Sequence, residues 1–189
     1  MKKYTLKELT KDIFLSPLVK TSEQGNINIL KTSSIENGKI VEDKFELGSI
    51  EKNIEKYFLK KGYIIFQAKG NKFEAVLIDK DYENLISIQS YFNLSVNEKL
   101  VVPEYLCWYL NNRISKQYFD INSSGATVKA ITKKVLETIE IILPSLEKQK
   151  EISKLVSNFY IEKGKTLEYL EKKELLINEK IIESIREDA

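Results

Sequence analysis

The residues in this sequence that could do chemistry are few and poorly placed for catalysis. Its 189 residues include no histidine and one cysteine, Cys107, which excludes histidine-activated nucleophiles, histidine zinc sites and an internal disulfide. Glu74 and Asp79 flank a short apolar run, but the Glu-x-Lys or Asp-x-Lys step of a metal-dependent nuclease does not follow in that run. We therefore predict that both acids are solvated at the two ends of a strand.

Loops that bind nucleotides or cofactors are also missing from the sequence. No glycine-rich segment ends in the Gly-Lys-Ser or Gly-Lys-Thr of a phosphate-binding loop. The three prolines are too far apart to form the Asn-Pro-Pro-aromatic element of an adenine methyltransferase. The acidic run 79–83 lacks the glycine and the spacing of a calcium loop. The sequence thus predicts a protein that is not an enzyme and has neither a cofactor nor a metal site.

Charge is distributed unevenly along the chain. The net charge is only +2, but residues 56–80 contain six lysines against two acids, and residues 113–134 contain five cations against one acid. Residues 36–55, by contrast, contain six acids against three lysines. Two basic segments on a nearly neutral domain can form one surface that faces phosphates, which is typical of a nucleic-acid-binding protein.

The elements that must position these segments are short strands and helices up to Pro144. An Asn37-Gly38 pair predicts a type I′ hairpin turn that leads into residues 39–41. A continuous apolar run at 63–66 predicts a strand that is buried on both faces. The further strands that we predict are 27–30, 75–78, 85–88, 91–96 and 139–143.

Two helices are predicted between these strands. Pro103 suits a first helical turn and opens a helix over 104–118, with Leu106, Tyr109, Leu110 and Ile114 on its apolar face. At this spacing Trp108 and Tyr109 are expected in the core and not on a surface that stacks bases. A second, short helix begins after Thr132, whose side chain can cap it, and runs through Leu136.

Composition changes after Pro144, where the sequence predicts one long helix. Residues 147–188 contain a single glycine, Gly164, and no proline, and Ser145 is a plausible N-cap. A glycine costs only about 1 kcal/mol inside a helix, so we expect the helix to continue through Gly164 and to span roughly 60 Å. Its apolar residues recur at helical spacing and form one strip that needs a partner helix: Ile152, Val156, Phe159, Leu167, Leu170, Ile177, Ile181 and Ile185.

The predicted organisation is a small β-rich domain of class α+β over residues 1–144, followed by a long coiled-coil-type helix over 145–189. No apolar run approaches the roughly 18 residues that a membrane span needs. The first residues have a basic flank but neither the apolar core nor the cleavage site of a signal peptide. We therefore expect a cytoplasmic protein with no membrane association.

Three segments together resemble the target-recognition domain of type I restriction–modification specificity subunits. The first is 59–73, with a leucine, a glycine, an apolar strand and a basic glycine loop. The second is Val102-Pro-Glu-Tyr-Leu through Leu110-Asn111. The third and most specific combines Gly125–Leu136, Ile139–Pro144 and a Leu-x-x-Gln-x-x-Ile step at 146–152. Tyr63 departs from the family, which usually has an acid there.

This resemblance implies a non-catalytic subunit that reads double-stranded DNA while methylation and cleavage belong to partner chains. The long helix is then expected to dock the methyltransferase subunit and, through the complex, the restriction subunit. Typical members carry two recognition domains and two helices, whereas this chain has one of each. It therefore resembles a half subunit, which would pair as a homodimer or with another half subunit.

The resemblance also indicates which residues are expected to contact DNA. Lysines supply affinity for phosphates, and polar loop side chains supply the choice of bases. The candidates lie in the glycine loop and in the second basic segment: Lys69, Gly70, Asn71, Lys72, Thr127, Lys129, Lys133 and Lys134. Two other interpretations stay open, a coiled-coil interaction module that does not read DNA specifically, and a nuclease or methyltransferase fragment.

Overall fold

The computed structural model describes residues 2–50, 54–70 and 72–187. The chain divides into two compact units, Met1–Lys150 and Glu151–Ala189. Within the described residues the strands are β1 (Lys2–Thr5), β2 (Thr10–Phe14), β3 (Lys20–Thr21), β4 (Ile27–Leu30), β5 (Ile35–Glu36), β6 (Lys39–Ile40), β7 (Glu46–Ser49), β8 (Ile64–Gln67), β9 (Ala75–Leu77), β10 (Leu85–Ser87), β11 (Tyr91–Val96) and β12 (Glu140–Leu143). The α-helices are α1 (Leu6–Leu9), α2 (Pro103–Asn111), α3 (Arg113–Asn122), α4 (Lys133–Thr138) and α5 (Leu146–Glu187).

Two four-stranded sheets and two strand pairs make up the first unit. One sheet has the antiparallel order β2-β11-β8-β9, and the other has the order β10-β4-β7-β3, in which only β10 and β4 run parallel. The pairs are β1 with β12 and β5 with β6. Together with the long C-terminal helix, this arrangement confirms the predicted α+β class.

The core forms where the sequence is most apolar. Ile64, Ile65 and Phe66 of β8 are fully buried between β11 and β9, as predicted for a strand covered on both faces. Ile65 belongs to a cluster with Leu30, Leu59, Val76, Ile78, Leu85 and Tyr91. The strand predicted at 91–96 has the observed bounds, and those predicted at 75–78 and 85–88 each end one residue earlier.

The predicted hairpin turn at Asn37-Gly38 is also confirmed. Both residues have positive φ, 50° and 74°, which a type I′ turn requires. The turn joins β5 to β6, with Ile35 opposite Ile40. Both isoleucines pack against the core cluster, so the hairpin is fixed at its base.

The single helix predicted over 104–118 is wrong, because the chain breaks at Asn112. This residue is extended (φ −71°, ψ 166°) and ends α2, while its side-chain oxygen accepts a hydrogen bond from the Ser115 amide at 2.9 Å and so caps α3. The break also rotates Ile114 away from the apolar face on which it was predicted, and Ile114 is 67% exposed. By contrast, Thr132 caps α4 through the Val135 amide as predicted.

The strand β1 pairs with a strand that is far away in the sequence. Lys2 lies opposite Leu143 and Thr5 opposite Glu140, and the Leu6 amide donates to the Ile139 carbonyl at 3.1 Å. At the edge, Lys3 forms an ion pair with Glu140 at 2.8 Å. This pairing closes the first unit, because it joins the residues before α1 to the residues just before α5.

The helix α5 has 42 residues and continues through Gly164, as predicted. At its start the Lys148 amide donates to the Ser145 hydroxyl at 3.3 Å. Gln149 is buried and accepts a hydrogen bond from the Val102 amide at 2.8 Å, while it donates to the Pro144 carbonyl at 3.0 Å. The Gln149 side chain thus anchors the first turn of α5 to the loop before α2.

Beyond this anchor, α5 presents apolar side chains to solvent. Within the predicted strip only Ile152 and Val156 are half-buried, and the other six residues are 42–64% exposed. Further exposed apolar residues lie outside that strip: Leu155, Tyr160, Ile161, Tyr169, Leu175, Leu176 and Ile182. The sequence prediction of a single strip was therefore too narrow. None of the helices in the described part of the chain is long and apolar enough to cross a membrane.

Candidate nucleic-acid interface

The two basic segments of the sequence lie side by side. The Ile131 amide donates to the Ala68 carbonyl at 2.8 Å, and the Gly70 amide donates to the Lys129 carbonyl at 3.0 Å. Lys69 and Ala130 form a β-bridge between these two bonds. The loop after β8 and the loop before α4 are therefore one hydrogen-bonded structure, although they are about sixty residues apart in the sequence.

The second of these loops is short and closed on itself. Ser124 and Ala130 exchange both backbone hydrogen bonds, at 3.0 Å and 2.8 Å. Gly125 has a φ of 105°, and a Cβ atom at this position would lie 2.2 Å from the Val128 carbonyl oxygen. Thr127 and Lys129, both predicted to contact DNA, are exposed on this loop. The loop therefore exposes these side chains to solvent, and its backbone requires glycine at position 125.

We call residues 67–72 and 124–134 the basic surface. These two segments contain five lysines and no acid. Lys129 lies 3.8 Å from Asp120 and Lys133 lies 3.8 Å from Glu137, which are weak, exposed ion pairs. Across residues 2–50, 54–70 and 72–187, the structure gives no ion-pair partner to the other three: Lys69, Lys72 and Lys134. Asn71, another predicted contact, lies outside the described residues.

Hydrogen bonds orient Gln67 and Gly70 at the edge of this surface. The side-chain amide of Gln67 donates to the Lys69 carbonyl at 3.2 Å. Gly70 has a φ of 129°, and a Cβ atom there would lie 2.9 Å from the Gln67 amide nitrogen. Glycine at position 70 thus allows Gln67 to close over the loop.

A cavity of about 510 Å³ adjoins the basic surface. Its lining includes Gln67 at the end of β8, Lys72 and Glu74 from the loop between β8 and β9, and Asn37 and Gly38 from the hairpin turn. Glu74 is half-buried directly before β9, and its side chain lines this cavity. Asp79, the other acid of that pair, is exposed as predicted and accepts a hydrogen bond from the Tyr82 hydroxyl at 2.7 Å.

Cys107, the residue that most resembles a reactive group, lies on α2 with its thiol 3.5 Å from the Ala75 carbonyl oxygen. Burial raises the pKa of the Cys107 thiol to about 12, and nearby Glu74 and Glu104 add to the shift. The thiol is therefore protonated at neutral pH and is a poor nucleophile. Tyr109 is buried and Trp108 is half-buried on α2, in agreement with the core role predicted for them. Among the described residues no group of acids and cysteine is arranged to hold a metal ion.

Replacing Gly125 by alanine is expected to lower the free energy of unfolding by about 1–3 kcal/mol, because an L-residue is strained at this φ and its Cβ would meet the Val128 carbonyl. Chemical denaturation measures this change. Gly164→Ala is the matched control: nothing lies within 4 Å of that position, and the same substitution inside a helix should stabilise by up to about 1 kcal/mol. Equal effects of the two substitutions would contradict the loop geometry.

The chain is similar to known DNA specificity proteins. Residues 1–183 match the family model described as type I restriction modification DNA specificity domain. Among solved structures, the chain is similar to the HsdS subunit from Thermoanaerobacter tengcongensis, with a TM-score of 0.64 and 17% identity over 89% of this chain and 44% of that one. It is also similar to the type I restriction–modification S subunit from M. genitalium, with a TM-score of 0.58 and 17% identity over 84% of this chain and 38% of that one.

A third solved structure, described as the structural basis of complex assembly and conformational transition of the type I R-M system, has a TM-score of 0.60 and 16% identity. The matched region is 89% of this chain and 44% of that one. The chain therefore spans less than half the length of each of these solved proteins. At these identities the likeness establishes the fold.

Proposed function

This chain belongs to the type I restriction–modification DNA specificity domain family, and from that membership we propose that it recognises one half of a split DNA target for a partner methyltransferase. The observation that carries the proposal is the hydrogen-bonded union of two basic segments into one surface. Five lysines without an acid attract phosphates and supply affinity that does not depend on sequence.

Base choice needs polar groups that reach the edges of the bases. Backbone contacts position a protein on DNA, while side chains and loops that enter a groove read the sequence. The closed loop 124–130, with Thr127 exposed on it, supports this role because it is held at both ends by backbone hydrogen bonds. We assign affinity to Lys69, Lys72, Lys129, Lys133 and Lys134, and base reading to Asn71, Thr127 and the backbone at Gly70.

The helix α5 supplies the contact to partner chains in this proposal. Its exposed apolar strip supports pairing with a second copy of the chain. A second copy would also supply the second recognition domain that a split target requires. The same helix is the proposed docking element for the methyltransferase, and the restriction subunit joins through the complex. Methylation and cleavage lie in those partner chains and not in this one.

The interpretation of the chain as a coiled-coil module that does not read DNA is favoured by one observation, the large apolar surface of α5 outside the predicted strip. A single experiment separates the two. The chain is expressed in a host together with an adenine methyltransferase subunit of a type I restriction–modification system, and long-read sequencing maps the modified bases. We expect one split motif, modified only when both chains are present.

Omission of this chain is the control. If the pattern of modified bases stays the same without it, the chain does not direct the methyltransferase and the recognition proposal fails. If no motif appears with both chains, the coiled-coil module becomes the better account.

A further inference from the structure

The cavity beside the basic surface contains a carboxylate that phosphate binding does not explain. Glu74 lies between Lys72 and β9, and its side chain reaches under the hairpin turn: a Cβ atom at Gly38 would lie 4.0 Å from Glu74 Oε1. The turn itself is fixed by the packing of Ile35 and Ile40 on the core. The carboxylate is thus placed by two anchored elements and is not carried on a free loop.

This carboxylate has no compensating group in the described part of the chain. Glu74 is half-buried, yet neither a hydrogen-bond donor nor an ion-pair partner of its side chain is found there. Lys72 lines the same cavity but does not come within ion-pair distance of it. The Glu74 carboxylate oxygens remain accessible from the cavity, where they can accept a hydrogen bond from a bound group.

Next to DNA this carboxylate is unfavourable. It repels phosphates, so it lowers the affinity that the five lysines supply unless it accepts a hydrogen bond from the DNA itself. The donors that a major groove presents are the exocyclic amino groups of cytosine and adenine. Guanine and thymine present acceptor oxygens at that edge, and a carboxylate repels these.

Gln67 gives the cavity a second acceptor. Its amide nitrogen is used by the Lys69 carbonyl, and its carbonyl oxygen has no partner among the described residues. Two side chains that line one cavity therefore offer acceptors, and both belong to a segment of the basic surface or adjoin it. A hydrogen-bond donor, such as an amino group, complements these two acceptors.

We propose that Glu74 is a specificity-determining residue, which accepts a hydrogen bond from the exocyclic amino group of an adenine or a cytosine at one position of the DNA target, with Gln67 lining the same site. This inference rests on the proposed function, because it requires that the basic surface binds DNA. The lysines then set how tightly the complex binds, while Glu74 sets which bases are accepted at that position.

The test uses the complex with its methyltransferase and a set of duplexes in which each position of the target is substituted in turn. We expect Glu74→Gln to reduce the preference for adenine or cytosine over guanine and thymine at one position by about 5- to 150-fold, because one base contact is lost and the amide can also donate. Preferences elsewhere stay the same. Affinity for unrelated DNA stays the same or rises, since a negative charge has been removed.

Glu74→Ala is the second variant, and Glu83→Gln, an exposed acid in the turn before β10, is the matched control. Melting temperatures verify that each variant is folded, and any variant that folds decides the question. The inference is overturned if preferences at every position are unchanged in the folded variants, or if affinity falls equally for all sequences. If the wild type prefers no sequence at all, the proposed function fails with it; a wild type with a clear target and an indifferent Glu74 overturns the inference alone.

Discussion

Reversal of the charges of Lys69 and Lys134 is expected to weaken DNA binding by the assembled complex by at least about tenfold, and to do so for all sequences alike. These lysines belong to different basic segments and have no ion-pair partner among the described residues, so their charge is available to phosphates. The plot of log binding constant against log salt should become shallower by about 1.8, because each phosphate contact contributes about 0.9. Titrations at several salt concentrations measure both quantities.

Lys7→Glu with Lys11→Glu is the matched control for this prediction. Both lysines are exposed and lie outside the basic surface, on α1 and β2, and the pair changes the net charge by the same amount. If the control weakens binding as much as Lys69→Glu with Lys134→Glu, then only net charge matters. In that case the basic surface is not the site.

Replacement of Leu170 and Ile177 by aspartate is expected to produce monomers that no longer assemble with the methyltransferase. Both side chains are about half-exposed on the apolar strip of α5. Burial of each against a partner helix would stabilise the pair by roughly 1.5–3 kcal/mol, and a buried unpaired carboxylate would oppose it further. Light scattering of the wild type and the variant at micromolar concentrations checks the prediction.

Lys154→Asp with Lys165→Asp is the control. Successive residues of an α-helix are rotated by about 100°, and this rotation puts positions 154 and 165 on the face of α5 opposite the apolar strip. This control should assemble normally. A wild type that is strictly monomeric at micromolar concentrations would contradict the homodimer. It would leave another half subunit or the methyltransferase itself as the partner on the strip.

The parts of the fold that were predictable are those with a local cause. The buried run of β8, the positive-φ turn at Asn37-Gly38 and the capped start of α4 each depend on residues within a few positions. The strand β1 gave no such signal, because it is stabilised by its pairing with β12. The break at Asn112 did have a signal, an N-cap residue in mid-helix, which the run of apolar residues around it obscured.

The candidate site was predictable only in part for the same reason. The count of lysines marked two basic segments, but the segments are joined by the hydrogen bonds from Gly70 to Lys129 and from Ile131 to Ala68, which no local pattern encodes. Glu74 was predicted only as an acid at the end of a strand, since its position directly before the apolar run 75–78 is all that the local sequence shows. Its environment is created by the hairpin turn at Asn37-Gly38, which lies more than thirty residues away.

The pairing of β1 with β12 has a consequence for synthesis on the ribosome. The 135 positions from Thr5 to Glu140 must be translated before the first unit can close, which takes about 7–27 s at 5–20 residues per second. During that time the edge of β1 has no partner and is a site at which nascent chains can aggregate. The apolar strip of α5 begins at Ile152, so it emerges after β12, the strand that covers this edge. Translation order therefore lets the first unit close before the apolar strip of α5 is complete.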